Sequence, residues 1–318
     1  MKKLKIILGN FRMFGVKYVF LDFFYHIFRF LYDKTVKDNQ DKKTEMIKKR
    51  VNDYKMFIDK NGKGIHRDLY LKSIREPVST KIMNSWINKG DIILDAGANI
   101  GYYVILESKK TGNKGGVYAI EPIKENFDLL KKNIELNRLK NVEAYNLAFS
   151  DRSGRININV SEEGNLNTPA KIGTAKRVDS VKSTTIDLFF KKKKKPTIMR
   201  MDIEGFEHVV FKGCVNILDS LEKIFVELHF PLIEKKEMIS LLKLLKNKGF
   251  EIYKAVLEWE RSVREETTLG KIVNYFYNKR SAPIIFDRLT IDELINSKEF
   301  IEGHLSLEVF FIKNKKNN

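Results

Sequence analysis

The segment from Asp91 to Asp151 constrains this chain's fold more than any other, because short β-branched runs and helical stretches alternate along it. Runs at 91–95, 116–120 and 142–147 read as strands, and each gap between them is too long for a hairpin and long enough for a helix. Strands joined through a helix lie parallel, and right-handed crossovers then place helices on both faces of one sheet. Two more runs, 197–201 and 223–228, extend the pattern, followed by an amphipathic stretch at 234–248 and strand-like runs at 250–257 and 305–312. The expectation is an α/β, doubly wound domain with a mainly parallel sheet. Residues 155–160 alternate like an additional strand and 164–176 read as a loop. The stretches 155–180 and 258–300 are therefore expected as insertions near the substrate side.

The first strand runs directly into Asp95-Ala-Gly97-Ala-Asn99-Ile-Gly101. Gly97 permits a sharp strand-to-helix turn, and Gly101 is expected to let the next helix pack near the strand. The loop falls at the carboxyl end of a parallel strand, where doubly wound sheets bind ligands. A dinucleotide site would favour Gly-x-Gly-x-x-Gly, since a pyrophosphate needs exposed amides at the helix start; that pattern is absent. Asp95 would repel phosphate but suits the ammonium of an amino-acid moiety, which favours S-adenosyl-L-methionine as the cofactor. The second strand ends in Glu121-Pro122, and a carboxylate there accepts hydrogen bonds from both ribose hydroxyls. After the third strand, Asp151 or a neighbour is placed to meet the adenine amine. Each acid alone reads as a loop or cap residue, but in this order they form one nucleoside-binding constellation.

With these residues in view, the sequence resembles the FkbM-type family of class I methyltransferases. The matching motifs are Asp95-Ala-Gly-Ala-Asn-Ile-Gly-Tyr102, Ile120-Glu-Pro122, Asn146-Leu-Ala-Phe-Ser-Asp151, Arg200-Met-Asp-Ile-Glu-Gly-Phe-Glu207 and Val226-Glu-Leu-His229. The resemblance covers about residues 75–232, and its first and fourth motifs are the specific ones. It implies a Rossmann-like, seven-stranded sheet closed by an antiparallel hairpin, and methylation of an oxygen on a sugar, polyketide or related hydroxyl. Carried over by position, Asp95, Gly97, Asn99, Glu121 and Asp151 are the implied cofactor contacts, beside the motif glycine Gly101.

Methyl transfer from a sulfonium is an in-line displacement, so alignment dominates, and an alcohol acceptor also needs a base. Asp202 and Glu204 end the fourth strand and His229 ends the fifth, in the same crevice by topology. All three are candidate bases or acceptor-holding groups, and the bland alternatives are a helix cap for Asp202 and a packed strand-end histidine for His229. A metal on Asp202, Glu204 and His229 is conceivable, but no close ligand cluster requires one, and none is expected.

Lys plus Arg outnumber Asp plus Glu by 59 to 41, giving a net charge of +18. The lysines are spread through nearly every segment, so the charge points only weakly to an anionic partner. An RNA methyltransferase is the first alternative, yet the Asn/Asp-Pro-Pro-aromatic turn common to base-amine methylases is replaced here by Asp202-Ile-Glu-Gly205, and paired carboxylates are poor neighbours for phosphate. A noncatalytic, membrane-associated nucleoside-binding protein is the second. The preferred acceptor is a small molecule or glycan, at low specificity.

Residues 1–74 are expected as an N-terminal helical extension and 75–318 as the methyltransferase domain. Within the extension, 12–32 form an aromatic-rich helix whose polar residues Asp22, His26, Arg29 and Asp33 share one stripe; it docks on the domain or a second copy, or lies on a membrane. Residues 34–60 are expected as a polar helix, and Asn61-Gly-Lys-Gly64 as a turn. No run reaches the roughly 18 uncharged apolar residues of a membrane span, and no small-residue cleavage site follows 12–32. Together with the single cysteine, Cys214, these point to the cytoplasm, with residues 1–32 offering a peripheral contact at the inner membrane face. Oligomeric state is not legible.

Overall fold

Residues 46–59 form a hairpin of β1 (Met46–Val51) and β2 (Tyr54–Asp59), which corrects the expected polar helix over 34–60. The reason is local: Met56 and Ile58 alternate toward the core, and Asn52, with φ of 52°, opens a two-residue turn to Asp53. The lysine-rich composition hid that period. Buried Asn133 locks the hairpin down, accepting from Phe57 N at 2.7 Å and donating to Ile100 O at 2.8 Å. Val51, Met56 and Ile58 share one core with Ile93, Val104 and Leu130, so this stretch packs as part of the domain.

The computed structural model describes residues 16–31, 43–161, 177–258, 268, 271–273, 275–276, 283–303 and 306–314; the expected loop at 164–176 lies outside them. Helix α1 covers residues 16–31. After the hairpin come α2 (Ile65–Lys72) and α3 (Pro77–Trp86), then β3 (Ile92–Ala96), α4 (Tyr102–Thr111), β4 (Gly116–Ile120), α5 (Lys124–Leu136) and β5 (Val142–Tyr145). These are the βαβ units read from the sequence. β6 (Ala148–Phe149), β7 (Gly154–Val160) and β8 (Arg177–Thr184) follow, then α6 (Ile186–Phe189), β9 (Ile198–Met201), α7 (Glu207–Lys212) and β10 (Lys223–His229). The chain closes through α8 (Lys235–Asn247), β11 (Phe250–Leu257), β12 (Ile284–Phe286), short helices at Ile291–Asn296 and Lys298–Ile301, and β13 (Ser306–Lys313).

The central sheet has eight strands in the order β12-β11-β13-β10-β9-β3-β4-β5. From β5 to β10 neighbours are parallel; β13 runs antiparallel between β10 and β11. This is the class I methyltransferase arrangement with one strand more than expected, since β12 adds an edge pairing with Ala255–Leu257. Of the stretch 258–300, β12 sits at the edge of the sheet remote from β3, and none of the described residues of that stretch lines the cleft described below.

Two cores sandwich the sheet, because alternate strand residues face opposite ways. Ile92, Leu94, Met199 and Val226 pack with α7 and α8, whereas Ile93, Ile198, Phe225 and Phe310 pack with α3 and α4. Phe225 and Phe310 stack at 4.3 Å between ring centroids. Such a fully buried ring is worth about 3–5 kcal/mol against alanine. A second sheet, β6-β8-β7, buries Ile158 and Val160 over Ala148 and Ile123.

Candidate active site

A cleft opens at the carboxyl ends of β3, β4 and β9, with about 930 Å³ of space that includes its open mouth. One wall is the turn Gly97–Asn99 after β3. The turn is held by Gly97 N and Ala98 N, both donating to Ile120 O at 3.0 Å. Gly97 has φ of 90°, and a Cβ there would lie 1.9 Å from the Asp202 carbonyl oxygen. The glycine is thus required by the close approach of the loop after β9, a neighbour the sequence did not reveal. Gly101, at φ of 94°, faces Leu130 of α5, with 2.7 Å left for a Cβ. It does not line the cleft; its freedom serves helix packing.

Glu121 is almost wholly buried and lines the cleft as expected. Its two oxygens accept from Ile123 N at 2.9 Å and Asn99 N at 2.8 Å. Burial pushes its pKa up to about 7, partly opposed by those amides and by Asn126. Asn99 itself stands in the left-handed region, its side chain accepting from Ile100 N. Opposite lie Ala148, Phe149, Ile156 and Ile158, an apolar wall built by the second sheet. Ile156 and Ile158 lie in the 155–180 stretch read from the sequence as an insertion near the substrate side, though neither was singled out there, since an apolar strand residue carries no chemical signature.

Besides Gly101, two more of the expected cofactor contacts lie off the cleft surface. Asp95 is 0% exposed and absent from the cleft surface, since its strand neighbour Arg200 claims it at 3.0 Å. Asp151 is exposed beside the cleft and accepts from Ser150 Oγ at 3.1 Å; the cleft surface there is Ala148 and Phe149.

The far wall carries Asp202, Ile203, Glu204 and Phe206. Arg200 reaches from Asp95 to Asp202, donating to it at 3.1 Å while its guanidinium stacks 4.2 Å from the Tyr103 ring centroid. Glu204 has φ of 56°, a strained conformation for a side-chain-bearing residue that persists only where the surroundings fix it. Here they do: Glu207 accepts from Gly205 N at 3.1 Å and Ile203 N at 3.4 Å, gripping the loop on both sides. Burial raises the pKa of Glu204, partly opposed by His229.

His229 lies behind this wall, buried and outside the cleft surface. Its Nδ1 stands 2.9 Å from Glu207, and its Nε2 stands 3.3 Å from Glu204 and 3.4 Å from Glu227. Burial opposes its charge, but Glu227, Glu207 and Glu204 prevail and hold its pKa well above the ordinary value. So placed, His229 faces three acids behind the cleft surface rather than the cleft itself, and an imidazolium there has no free lone pair to act as a base. Glu227 was also missed; its signal was alternation with His229 on β10, which puts both on one strand face. Asp202, Glu227 and His229 offer ligand atoms within 4.8 Å of one another, a set different from the Asp202, Glu204 and His229 set weighed from the sequence and one that could take a metal ion only if the imidazole gave up its proton.

A family profile described as the methyltransferase FkbM domain matches residues 95–252. A hexuronic acid methyltransferase, AglP, of Haloferax volcanii is 29% identical over 154 residues, covering 48% of this chain. The chain spans 61% of the length of that curated relative. Among solved structures, methyltransferase FkbM of Methylobacillus flagellatus is 21% identical with a TM-score of 0.32, over 43% of this chain and 32% of that one. An S-adenosylmethionine-dependent O-methyltransferase of Thermotoga maritima is 15% identical with a TM-score of 0.39, over 77% of this chain and 68% of that one.

Proposed function

The chain belongs to the FkbM-type family of class I methyltransferases, and we propose that it moves a methyl group from S-adenosyl-L-methionine to a hydroxyl oxygen of a sugar or glycan. The observation that carries this reading is one cleft bounded by Glu121 and an apolar wall at one end and by Asp202 with Glu204 at the other. The donor set fits the cofactor: the Glu121 carboxylate suits a ribose diol, Phe149, Ile156 and Ile158 suit a purine face, and the Gly97–Asn99 turn leaves backbone exposed between them. When bound, the cofactor supplies an electrophilic methyl carbon.

The chain's own residues then divide the remaining work. Arg200 holds Asp202 by a charge-assisted hydrogen bond, keeping its carboxylate fixed to accept from an acceptor hydroxyl. Glu204, whose pKa burial raises above the ordinary carboxyl range, is the better proton acceptor, because a carboxylate that holds a proton more tightly is the stronger base. Ile203 and Phe206, on the same wall as the pair, limit the water that reaches it. The hexuronic acid named for the Haloferax volcanii relative supports a sugar acceptor. Two carboxylates at the acceptor end also suit a polyhydroxylated molecule better than a phosphate backbone.

The test is transfer of radiolabelled methyl from S-adenosyl-L-methionine to a panel of uronic acids, neutral glycans and tRNA. Label in a glycan fraction, lost in Glu204→Gln while calorimetric cofactor affinity stays within about twofold, is the expected outcome. Label confined to tRNA would refute the acceptor class, and absence of cofactor binding would refute the whole reading.

A further inference from the structure

Helix α1 is mounted inside out. Tyr18 and Tyr25 are buried, Asp22 and Arg29 turn toward the same side, and Phe24 and Phe28 stack on Phe276 at 5.5 and 5.3 Å. These contacts fix the roll of the helix. Its outward face is left apolar: Val16 is 68% exposed, Phe20 and Phe23 are 60% and Phe30 is 57%, with Ile27 in line between them. Their spacing of three and four residues makes a single stripe along the helix. Exposed Lys17 and His26 fall about 90° to either side of its centre on a helix of 3.6 residues per turn.

We propose that this stripe is a docking face for an anionic lipid surface, with the helix lying flat in the interface. Charge selects lipid over a second copy of the chain. The exposed Lys17 borders the stripe, the sequence before the helix carries Lys2, Lys3 and Lys5, and the whole chain has a net charge of +18. Two such chains repel one another, while phospholipid headgroups of opposite sign attract both the flank and the stripe. Charge also selects lying over spanning, since Lys17, Asp22, His26 and Arg29 interrupt the helix along residues 16–31, and no described helix is long and apolar enough to cross a membrane. Aromatic rings on a helix with basic flanks suit the boundary between headgroups and acyl chains. The proposal does not depend on the methyl acceptor; it concerns where the chain works.

The experiment is co-sedimentation of the full chain with vesicles of phosphatidylcholine alone and of phosphatidylcholine with about one quarter phosphatidylglycerol. Binding is expected to the anionic vesicles, at least about tenfold weaker to neutral ones and in about 0.5 M salt, where screening is short-ranged. Phe20→Asp with Phe23→Asp, and independently Ile27→Asp with Phe30→Asp, should each lower it at least about tenfold. Neither pair lines the cleft, so melting temperature and cofactor affinity should match the unsubstituted chain. Equal vesicle binding by both variants, or no binding by the unsubstituted chain, overturns the proposal. So does a dimer at micromolar concentration that both variants convert to monomer without any vesicle binding, which would assign the stripe to a second copy.

Discussion

Replacing Arg200 by methionine tests whether the charges beneath the cleft depend on one cation. Arg200 is buried, bonds Asp95 at 3.0 Å and Asp202 at 3.1 Å, and lies over Tyr103. Methionine keeps much of the volume but strands Asp95, which is 0% exposed and whose second oxygen has no hydrogen-bond partner. Removing one member of a buried ion pair costs about 3–5 kcal/mol. At roughly 2–4 °C per kcal/mol for a domain of this class, melting should fall by roughly 6–20 °C. Burial already raises the pKa of Asp95 against the pull of Arg200; without the guanidinium it should take up a proton. The companion variant Asp95→Asn removes the stranded charge, so the double variant should recover at least about 2 kcal/mol relative to additivity, because contacting groups couple. Urea titration of the four proteins supplies the cycle. Strict additivity, or an Arg200→Met variant within about 1 kcal/mol of the parent, would falsify the account.

Three further outcomes follow from the same geometry. Glu121, with its pKa pushed up to about 7, must be ionised to hold a ribose diol, so cofactor affinity should be roughly tenfold weaker at pH 6 than at its alkaline plateau, and Glu121→Gln should be weaker and flat with pH by calorimetry. Gly97→Ala should destabilise by at least about 2 kcal/mol and weaken cofactor binding together, since the new methyl meets backbone rather than a movable side chain; an unchanged melt would contradict the fit between the two loops. His229→Asn should lose stability most at low pH. The imidazolium's contribution is complete below the ordinary histidine pKa of about 6.5 and disappears as pH rises through the elevated folded value, so a melting difference that instead grows with pH counts against a charged His229.

What the sequence made legible was what backbone periodicity and turn chemistry encode. The β3 to β5 alternation, the Gly97 turn, Glu121 after β4 and the Asp202–Glu204 loop all stand where local pattern put them. Partners chosen in three dimensions were not legible. Asp95 is adjacent in sequence to the turn it was expected to serve, yet the parallel register sets it opposite Arg200. Asp151 follows the right strand but points to solvent, because the chain turns away into β7 just there. The hairpin at 46–59 was hidden for a different reason: Lys48, Arg50 and Lys55 sit on the solvent face, Lys49 turns in to cap the Leu69 and Tyr70 carbonyls, and only Val51, Met56 and Ile58 carry the buried signal.

The two cationic centres explain how so many acids tolerate one sheet end. Asp95, Glu107 and Asp202 gather around Arg200, and Glu204, Glu207 and Glu227 around His229. Each trio outnumbers its cation, so burial must leave protons on some members. Glu107, with neither oxygen hydrogen-bonded, is held well above the ordinary carboxyl range by burial and by Asp95, and burial pushes Glu227 up to about 8. Those two groups absorb the excess away from the cleft surface. The consequence falls on the two acids that do face the cleft. Asp202 keeps the fixed charge of Arg200 beside it, whereas Glu204 shares His229 with two competitors and is the less firmly held of the pair. The difference between them is set by their partners rather than by their own side-chain chemistry, which is why Arg200→Met should act on the acceptor-holding end and His229→Asn on the proton-accepting one.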